Sequence, residues 1–236
     1  MNQKILLIIP AYNEQDSIND TLKIVSSTDY DYVVINDGSN NQTPNILQSN
    51  HYNHINLISN LGIGGAVQTG YKYALQNNYD IAVQFDADGQ HNIKYVEELI
   101  KPIKDNEADL VIGSCFIHKD KSNQRSSKIR RFGIHFLSNI IKLFSGKRIY
   151  DPTSGFRAAN RKIIELFADN YPTEYPESIS DYELLRSSNF TIKEVSVTMN
   201  KRTAGKSSIR SWKSVYAAIN VFLSIIISSL GRSKYD

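Results

Sequence analysis

Short apolar runs alternate with helix-patterned segments along the first half of this chain, and that alternation limits what it can fold into. Ile5-Leu-Leu-Ile-Ile9 is unbroken and is closed by Pro10. Tyr32-Val-Val-Ile35, Ile55-Asn-Leu-Ile58, Ile81-Ala-Val-Gln-Phe85 and Asp109 to Ile112 repeat the theme. Runs this short, without polar alternation, read as strands covered on both faces. Between them, Asn13 to Val25 places Ile18, Leu22 and Val25 on one helical face, and helices are also expected from Pro44, over Ala66–Gln76 and over Val96–Ile103. Strand and helix in turn predict an α/β fold around a doubly wound, mostly parallel sheet.

Such sheets bind ligands beyond the carboxyl ends of their strands. The polar clusters fall there: Asn13-Glu14, Asp37-Gly38-Ser39 and Asp86-Ala87-Asp88. The 236 residues suffice for one large domain, or a domain with a small appendage. Charge is uneven. Residues 1–117 carry 6 basic and 14 acidic side chains, a net of −8; the remainder carry 21 and 10, a net of +11, and together they give the overall +3. An acidic first half suits a metal, and a basic second half suits phosphates or an anionic membrane surface. The single cysteine, Cys115, excludes an intramolecular disulfide and fits a reducing compartment. The N-terminus lacks the layout of a signal peptide.

Asp86-Ala87-Asp88-Gly89-Gln90-His91 is the sharpest local signal. Two carboxylates one residue apart at a strand end can reach one hard cation, with Gln90 adding an amide oxygen. Asp37 is placed to accept hydrogen bonds from a base or ribose hydroxyl. Gly62, Gly64 and Gly65 would allow close backbone approach to a ligand. They are not a dinucleotide fingerprint, because Val67 stands where the third glycine belongs, and hydride transfer fits poorly. Arg157, closing Asp151-Pro-Thr-Ser-Gly-Phe-Arg157, is expected to face a phosphate. Lys206, in the basic run 201–208, is another phosphate candidate without Walker spacing. His51, His54, His118 and His135 show no ligand spacing.

The second half adds two unusual helices. Residues 119–128 are polar and read as a loop, in the manner of a lid. Ile129, Phe132, Phe136, Ile140 and Phe144 then share one helical face, with Arg130, Arg131 and Lys142 off it. Val215 to Leu230 is almost wholly apolar apart from the stripe Asn220, Ser224, Ser228. It falls short of the roughly 20 residues needed to span a bilayer. Trp212 and the bases Arg210, Lys213, Arg232 and Lys234 flank it, an arrangement suited to the membrane interface. Packing on the protein's own core is the alternative. The division expected is a catalytic domain over 1–210 and a docking helix over 211–236.

Ile9-Pro-Ala-Tyr-Asn-Glu14, Asn36-Asp-Gly-Ser39, Asn60-Leu-Gly-Ile-Gly-Gly-Ala66, Asp86-Ala-Asp-Gly-Gln-His91, Val111-Ile-Gly-Ser114, Asp151 to Arg157 and Gly205-Lys-Ser-Ser208 occur in that order. Together they resemble the family 2 glycosyltransferases of the dolichyl-phosphate mannose synthase and bacterial polyprenyl-phosphate hexose synthase type. The resemblance runs from residue 5 to about residue 230. It implies a GT-A fold, an inverting reaction and Mg²⁺ or Mn²⁺. By motif position, Pro10, Ala11, Tyr12, Glu14, Asp37, Gly65, Ala87 and Lys206 would line the donor pocket. Asp86, Asp88 and Gln90 would hold the metal, and Asp88, Arg157 and Arg131 would act in the transfer, with Arg130 also meeting phosphate. The chain departs from the pattern at Asn36, where relatives often have Asp, and at Cys115, where they often have Arg. Arg125, Lys128 or Arg130 is the expected substitute for that arginine. Ser178-Ile179-Ser180 follows the Tyr175-Pro-Glu177 element where many relatives carry another acid.

The resulting expectation is transfer of a glucose- or N-acetylglucosamine-class hexose from a nucleotide-sugar, UDP favoured over GDP, to a polyprenyl phosphate for cell-envelope glycan. The work would be done in the cytoplasm, peripherally at the inner face of the membrane. A membrane surface or small membrane protein is the expected partner, a homo-oligomer is possible and nucleic acid is not expected. Two other readings stay open. Transfer to a sugar or protein hydroxyl would need a base, for which Asp151, Glu177 and Asp181 are the candidates. A non-catalytic nucleotide-sugar-binding subunit is the third.

Overall fold

A computed structural model describes residues 3–117, 128–187, 189–200 and 211–229, with the side chains of 128–130 and 211–218 outside the description. The expected alternation is present. Strand β1 (Ile5–Ala11) leads to α1 (Ile18–Ser26), β2 (Asp31–Asn36), α2 (Thr43–Ser49), β3 (His54–Asn56), α3 (Gly62–Gln76), β4 (Ile81–Gln84), α4 (Val96–Lys104) and β5 (Leu110–Ser114). The second half contributes α5 (Lys128–Ser145), β6 (Arg157–Asn160), α6 (Arg161–Asp169), α7 (Pro176–Ser187), β7 (Ile192–Ser196) and α8 (Ser211–Ser229).

The strands form one seven-stranded sheet in the order β3-β2-β1-β4-β6-β5-β7. All neighbours run parallel except β6, which is antiparallel to both β4 and β5. The apolar runs explain the centre. Leu6 to Ile9, Val33 to Ile35, Ile81 to Val83 and Leu110 to Ile112 are all fully buried. Successive strand residues face opposite sides, so the run divides between two cores. Leu6, Ile8, Ala82 and Ile112 face α3, α6 and α7, meeting Tyr71, Phe167 and Tyr182. Leu7, Ile9, Ile81 and Val83 face α1 and α4, meeting Leu22, Leu99 and Ile100.

Helix α3 begins earlier than its pattern suggested, within the glycines. Gly64 is required by the fold itself: a Cβ there would lie 2.2 Å from the Pro172 carbonyl oxygen and 2.6 Å from that of Thr173. What approaches Gly65 is Leu61, the residue that caps the start of its helix, whose Cβ would lie 2.5 Å from a Cβ added at that glycine. Close approach at these glycines is therefore to the chain's own atoms.

Helix α8 packs on α5 and α7, burying Val221 and Ile225 in the core shared with Leu137 and Ile141. Its other side stays open, with Ile219, Leu223 and Ile227 exposed. Asn220, Ser224 and Ser228 are half-buried, and the Ser228 carbonyl accepts from Arg186 Nη1. Among the described residues, no helix is long and apolar enough to cross a membrane.

Candidate active site

From β1 the chain steps outward to β2 and β3, then returns to place β4 on the opposite side of β1. The crevice beyond the carboxyl ends of β1 and β4 is thus the switch point where doubly wound sheets bind ligands. Two segments flank it: Tyr12-Asn13-Glu14 after β1 and Asp86-Ala87-Asp88 after β4.

The first wall is held by short polar contacts. Asn13 adopts φ 58°, in the left-handed region that Asn tolerates. Its N–H donates to Ser39 Oγ at 2.9 Å, and its Oδ1 accepts from Asn40 N at 3.0 Å. Glu14 Oε2 accepts from Ser17 Oγ at 2.9 Å. Pro10 and Ala11 are buried as the last residues of β1, whereas Tyr12 is exposed. Asp37 is buried, and its Oδ1 accepts from Leu61 N at 2.7 Å. It therefore pins the end of β2 to the start of α3. Asn36 has a job an aspartate could not do: its Nδ2 donates to Asn56 Oδ1 at 2.7 Å, across the parallel register of β2 and β3.

The second wall is the Asp86–His91 turn. Asp88 Oδ1 accepts from Gln90 N at 2.9 Å, and the Gln90 carbonyl accepts from Asn200 N at 2.8 Å. Ala87 is buried, with its carbonyl accepting from Thr21 Oγ1. His91 anchors the turn, a role its motif did not announce. Its Nδ1 accepts from Asp86 N at 2.9 Å, which leaves the proton on Nε2, 3.5 Å from Asp86 Oδ2. The ring stacks on Phe156 at 4.4 Å. Burial lowers its pKa to about 4, against the opposing pull of Asp88, so the ring is neutral at ordinary pH.

Arg157 is not where its pattern placed it. It opens β6 in register with Gln84, with its side chain fully buried under the site. Nη1 donates to Asp181 Oδ1 at 3.0 Å, and Nε and Nη2 both donate to the Ser154 carbonyl, at 3.1 and 2.7 Å. The guanidinium is committed to internal partners and offers nothing to a phosphate. The same pair removes Asp181 from the candidate bases. Burial raises the Asp181 pKa, while the Arg157 guanidinium at 3.0 Å pulls it back toward the charged form. Asp151 is buried and accepts from Thr153 Oγ1, and Glu194 of β7 accepts from both Tyr150 N and Asp151 N. Glu177 lies beside Gln84 and Asp86, pushed up by burial although Arg157 draws it down.

Arg131 sits in the first turn of α5, half-buried. Phe116, just past β5, meets His135 of that helix edge-on at 6.3 Å, so α5 approaches the same end of the sheet. Cys115 is half-buried against the α1–α4 core with Val195 and Met199, an apolar setting in the position expected for an arginine. Arg130's side chain, Arg125, Lys206, the basic run 201–208 and most of the 119–128 loop lie outside the described residues.

Paired carboxylates, Asp86 and Asp88, thus stand at the switch point of the sheet. The family model for glycosyl transferase family 2 matches residues 6 to 167, which includes both walls. The chain belongs to glycosyltransferase family 2. An uncharacterised protein of Methanocaldococcus jannaschii is 37% identical over 71% of this chain and 71% of its own length. A UDP-N-acetylglucosamine–dolichyl-phosphate N-acetylglucosaminyltransferase of Methanococcus voltae is 29% identical over 97% of both chains. Among solved structures, glucosyl-3-phosphoglycerate synthase of Mycobacterium tuberculosis, in complex with Mn²⁺, uridine diphosphate and phosphoglyceric acid, superposes with a TM-score of 0.68 at 17% identity. That match covers 98% of this chain and 79% of the other. The fold of this family 2 transferase is GT-A.

Proposed function

We propose that this transferase moves a hexose, of the glucose or N-acetylglucosamine class, from a UDP-sugar to a polyprenyl phosphate with inversion, working from the cytoplasmic side of a membrane. The observation that carries the reading is the joining of two features by one helix. α5 approaches the carboxylate edge through His135 and Phe116. Along its length it exposes Phe132, Leu143 and Phe144, and α8, packed on it, exposes Ile219, Leu223 and Ile227. Exposed apolar side chains grouped on two packed helices suit the headgroup–acyl boundary, where a lipid-borne acceptor would be met. The M. voltae relative, whose name gives a dolichyl phosphate acceptor, supports it.

The donor set fits a hard divalent cation. It is all oxygen: the carboxylates of Asp86 and Asp88 and the amide of Gln90. Among the described residues no three His, Cys, Asp or Glu form an enclosing cage, and Mg²⁺ or Mn²⁺ ordinarily takes one or two carboxylates and completes its shell with water and phosphate. When bound, such an ion would neutralise charge on the departing diphosphate. The protein's own part is positional. Tyr12 and Glu14, in the segment after β1, would meet the donor, and the His91 anchor fixes the Asp86 backbone. Arg131 would meet the acceptor phosphate, which is already anionic near neutral pH and needs no base.

The test is nucleotide release from a panel of UDP- and GDP-sugars with Mn²⁺ or Mg²⁺, with and without undecaprenyl phosphate. Release that requires one donor, the metal and the lipid is the expected result. Release that ignores the lipid, responds to a sugar hydroxyl and disappears in Glu177→Gln would transfer the reading to a hydroxyl acceptor.

A further inference from the structure

Gln84 is an anomaly for a central strand. It is 1% exposed, in the middle of a sheet whose other β4 side chains are apolar, and its Oε1 has no hydrogen-bond partner. A buried orphaned acceptor costs about 1–3 kcal/mol, and Met or Leu would fill the same space without that cost. The amide nitrogen accounts for the residue. Nε2 donates to Asp86 Oδ1 at 3.4 Å, and Glu177 lies beside the amide. Asp86 follows two residues later, so both side chains leave the same sheet face, the face that α7 covers with Glu177. Two carboxylates brought together there repel each other, and a neutral amide with two N–H groups is suited to lie between them.

The backbone opposite is shaped to that amide. A Cβ on Gly155 would lie 2.7 Å from Gln84 Nε2 and 3.4 Å from Asp86 Oδ2. The Asp151–Arg157 run thus makes room for the bridge, while Arg157, paired in register with Gln84, closes it from below.

We infer that Gln84 is a positioning residue that clamps the Asp86 carboxylate against Glu177 and so presets the metal-binding edge. This rests on the metal reading of Asp86 given above. Its removal should weaken the metal without weakening the fold. Hydrogen-bonding partners of metal ligands are ordinarily worth about 10- to 100-fold in affinity.

The experiment is Mn²⁺ binding, followed by electron paramagnetic resonance of the free ion in the presence of UDP, on the wild-type chain, Gln84→Met, Gly155→Ala and Asp86→Asn. Melting temperature is measured on each, and the Mn²⁺ dependence of nucleotide release is measured alongside. The expected result is at least tenfold weaker Mn²⁺ binding in Gln84→Met and in Gly155→Ala, with Gln84→Met melting no lower than wild type and recovering most of its turnover at saturating Mn²⁺. Wild-type affinity in Gln84→Met while Asp86→Asn loses the ion would overturn the clamp and leave the metal site standing. Equal binding in Asp86→Asn and wild type would overturn both.

Discussion

Replacing Asp181 by Asn separates a structural arginine from a phosphate-binding one. In the native chain Arg157 and Asp181 are both 0% exposed in their side chains, 3.0 Å apart at Nη1 and Oδ1. Desolvation of the two charges and their attraction nearly cancel in such pairs. Removing one charge leaves the other buried and uncompensated, at about 3–5 kcal/mol. For a domain of this size each kcal/mol lowers the melting temperature by about 2–4 °C, so Asp181→Asn should melt between about 6 and 20 °C lower. The double variant Arg157→Met with Asp181→Leu removes both charges. It should recover most of that loss, less about 1–3 kcal/mol for the Ser154 carbonyl left without its donors. Circular dichroism melts give the stabilities, and nucleotide release gives the donor KM for each variant that remains folded. An Asp181→Asn protein that melts like wild type, together with an Arg157→Met protein that is stable but has a raised donor KM, would refute the buried-pair reasoning and return Arg157 to the substrate.

Three other outcomes are expected. The depressed pKa of His91, about 4 against an ordinary 6.5, makes it a source of acid lability. Its contribution is fully present above pH 6.5 and is lost as pH falls toward 4, because the unfolded chain takes up the proton first; the loss is up to about 3 kcal/mol. His91→Gln should flatten that part of the stability–pH curve measured by urea unfolding. Gly64→Ala drives a methyl into the 172–173 backbone, which cannot give way as a side chain would. It should cost about 1–3 kcal/mol in a thermal melt. Phe132→Ser with Leu143→Ser, at side chains that are 73% and 75% exposed, should leave the melting temperature unchanged and lower partition onto anionic vesicles at least tenfold in a flotation assay. Unchanged partition would take the apolar face out of membrane docking.

The legible parts of the fold were those whose residues obey one rule throughout. Ile5 to Ile9 and Ile81 to Val83 are apolar because both faces of a central parallel strand are covered, and nothing else of that length looks like them. Arg157-Ala-Ala-Asn160 carries no such sign. It has no β-branched residue and begins with a charge, since its partners are a carboxylate 24 residues on and a carbonyl three residues back. Helix α7 hid for a related reason: Ser178, Ser180, Asp181 and Glu183 look like a solvated face, yet all four are buried. β7 is an edge strand with no buried residue, so it lacks the continuous apolar run that marks the central strands. At the site, Asp86 and Asp88 were conspicuous in the sequence because two carboxylates one residue apart close an apolar run. Gln84 was not, because a single amide in an apolar run gains meaning only when Glu177 and Gly155 are brought to it. Of the glycines at 62–65, Gly64 is demanded by the fold itself, because the 172–173 backbone leaves no room for a Cβ there.

Reversing one strand has a consequence for how such a protein can diversify. β5 and β6 are antiparallel neighbours, tied by Gly113 N to the Phe156 carbonyl at 2.8 Å. The chain therefore leaves the sheet and re-enters it at the same edge. The stretch from 115 to 150, α5 included, is topologically the tip of an oversized hairpin, whose base at Asp151 to Arg157 stays with the site. A tip can lengthen, shorten or change its apolar face without shifting the register of any strand. The donor walls belong to the frame and the proposed acceptor surface to the tip, so the two are free to change at different rates, and a new acceptor can be adopted without redesigning the grip on the nucleotide.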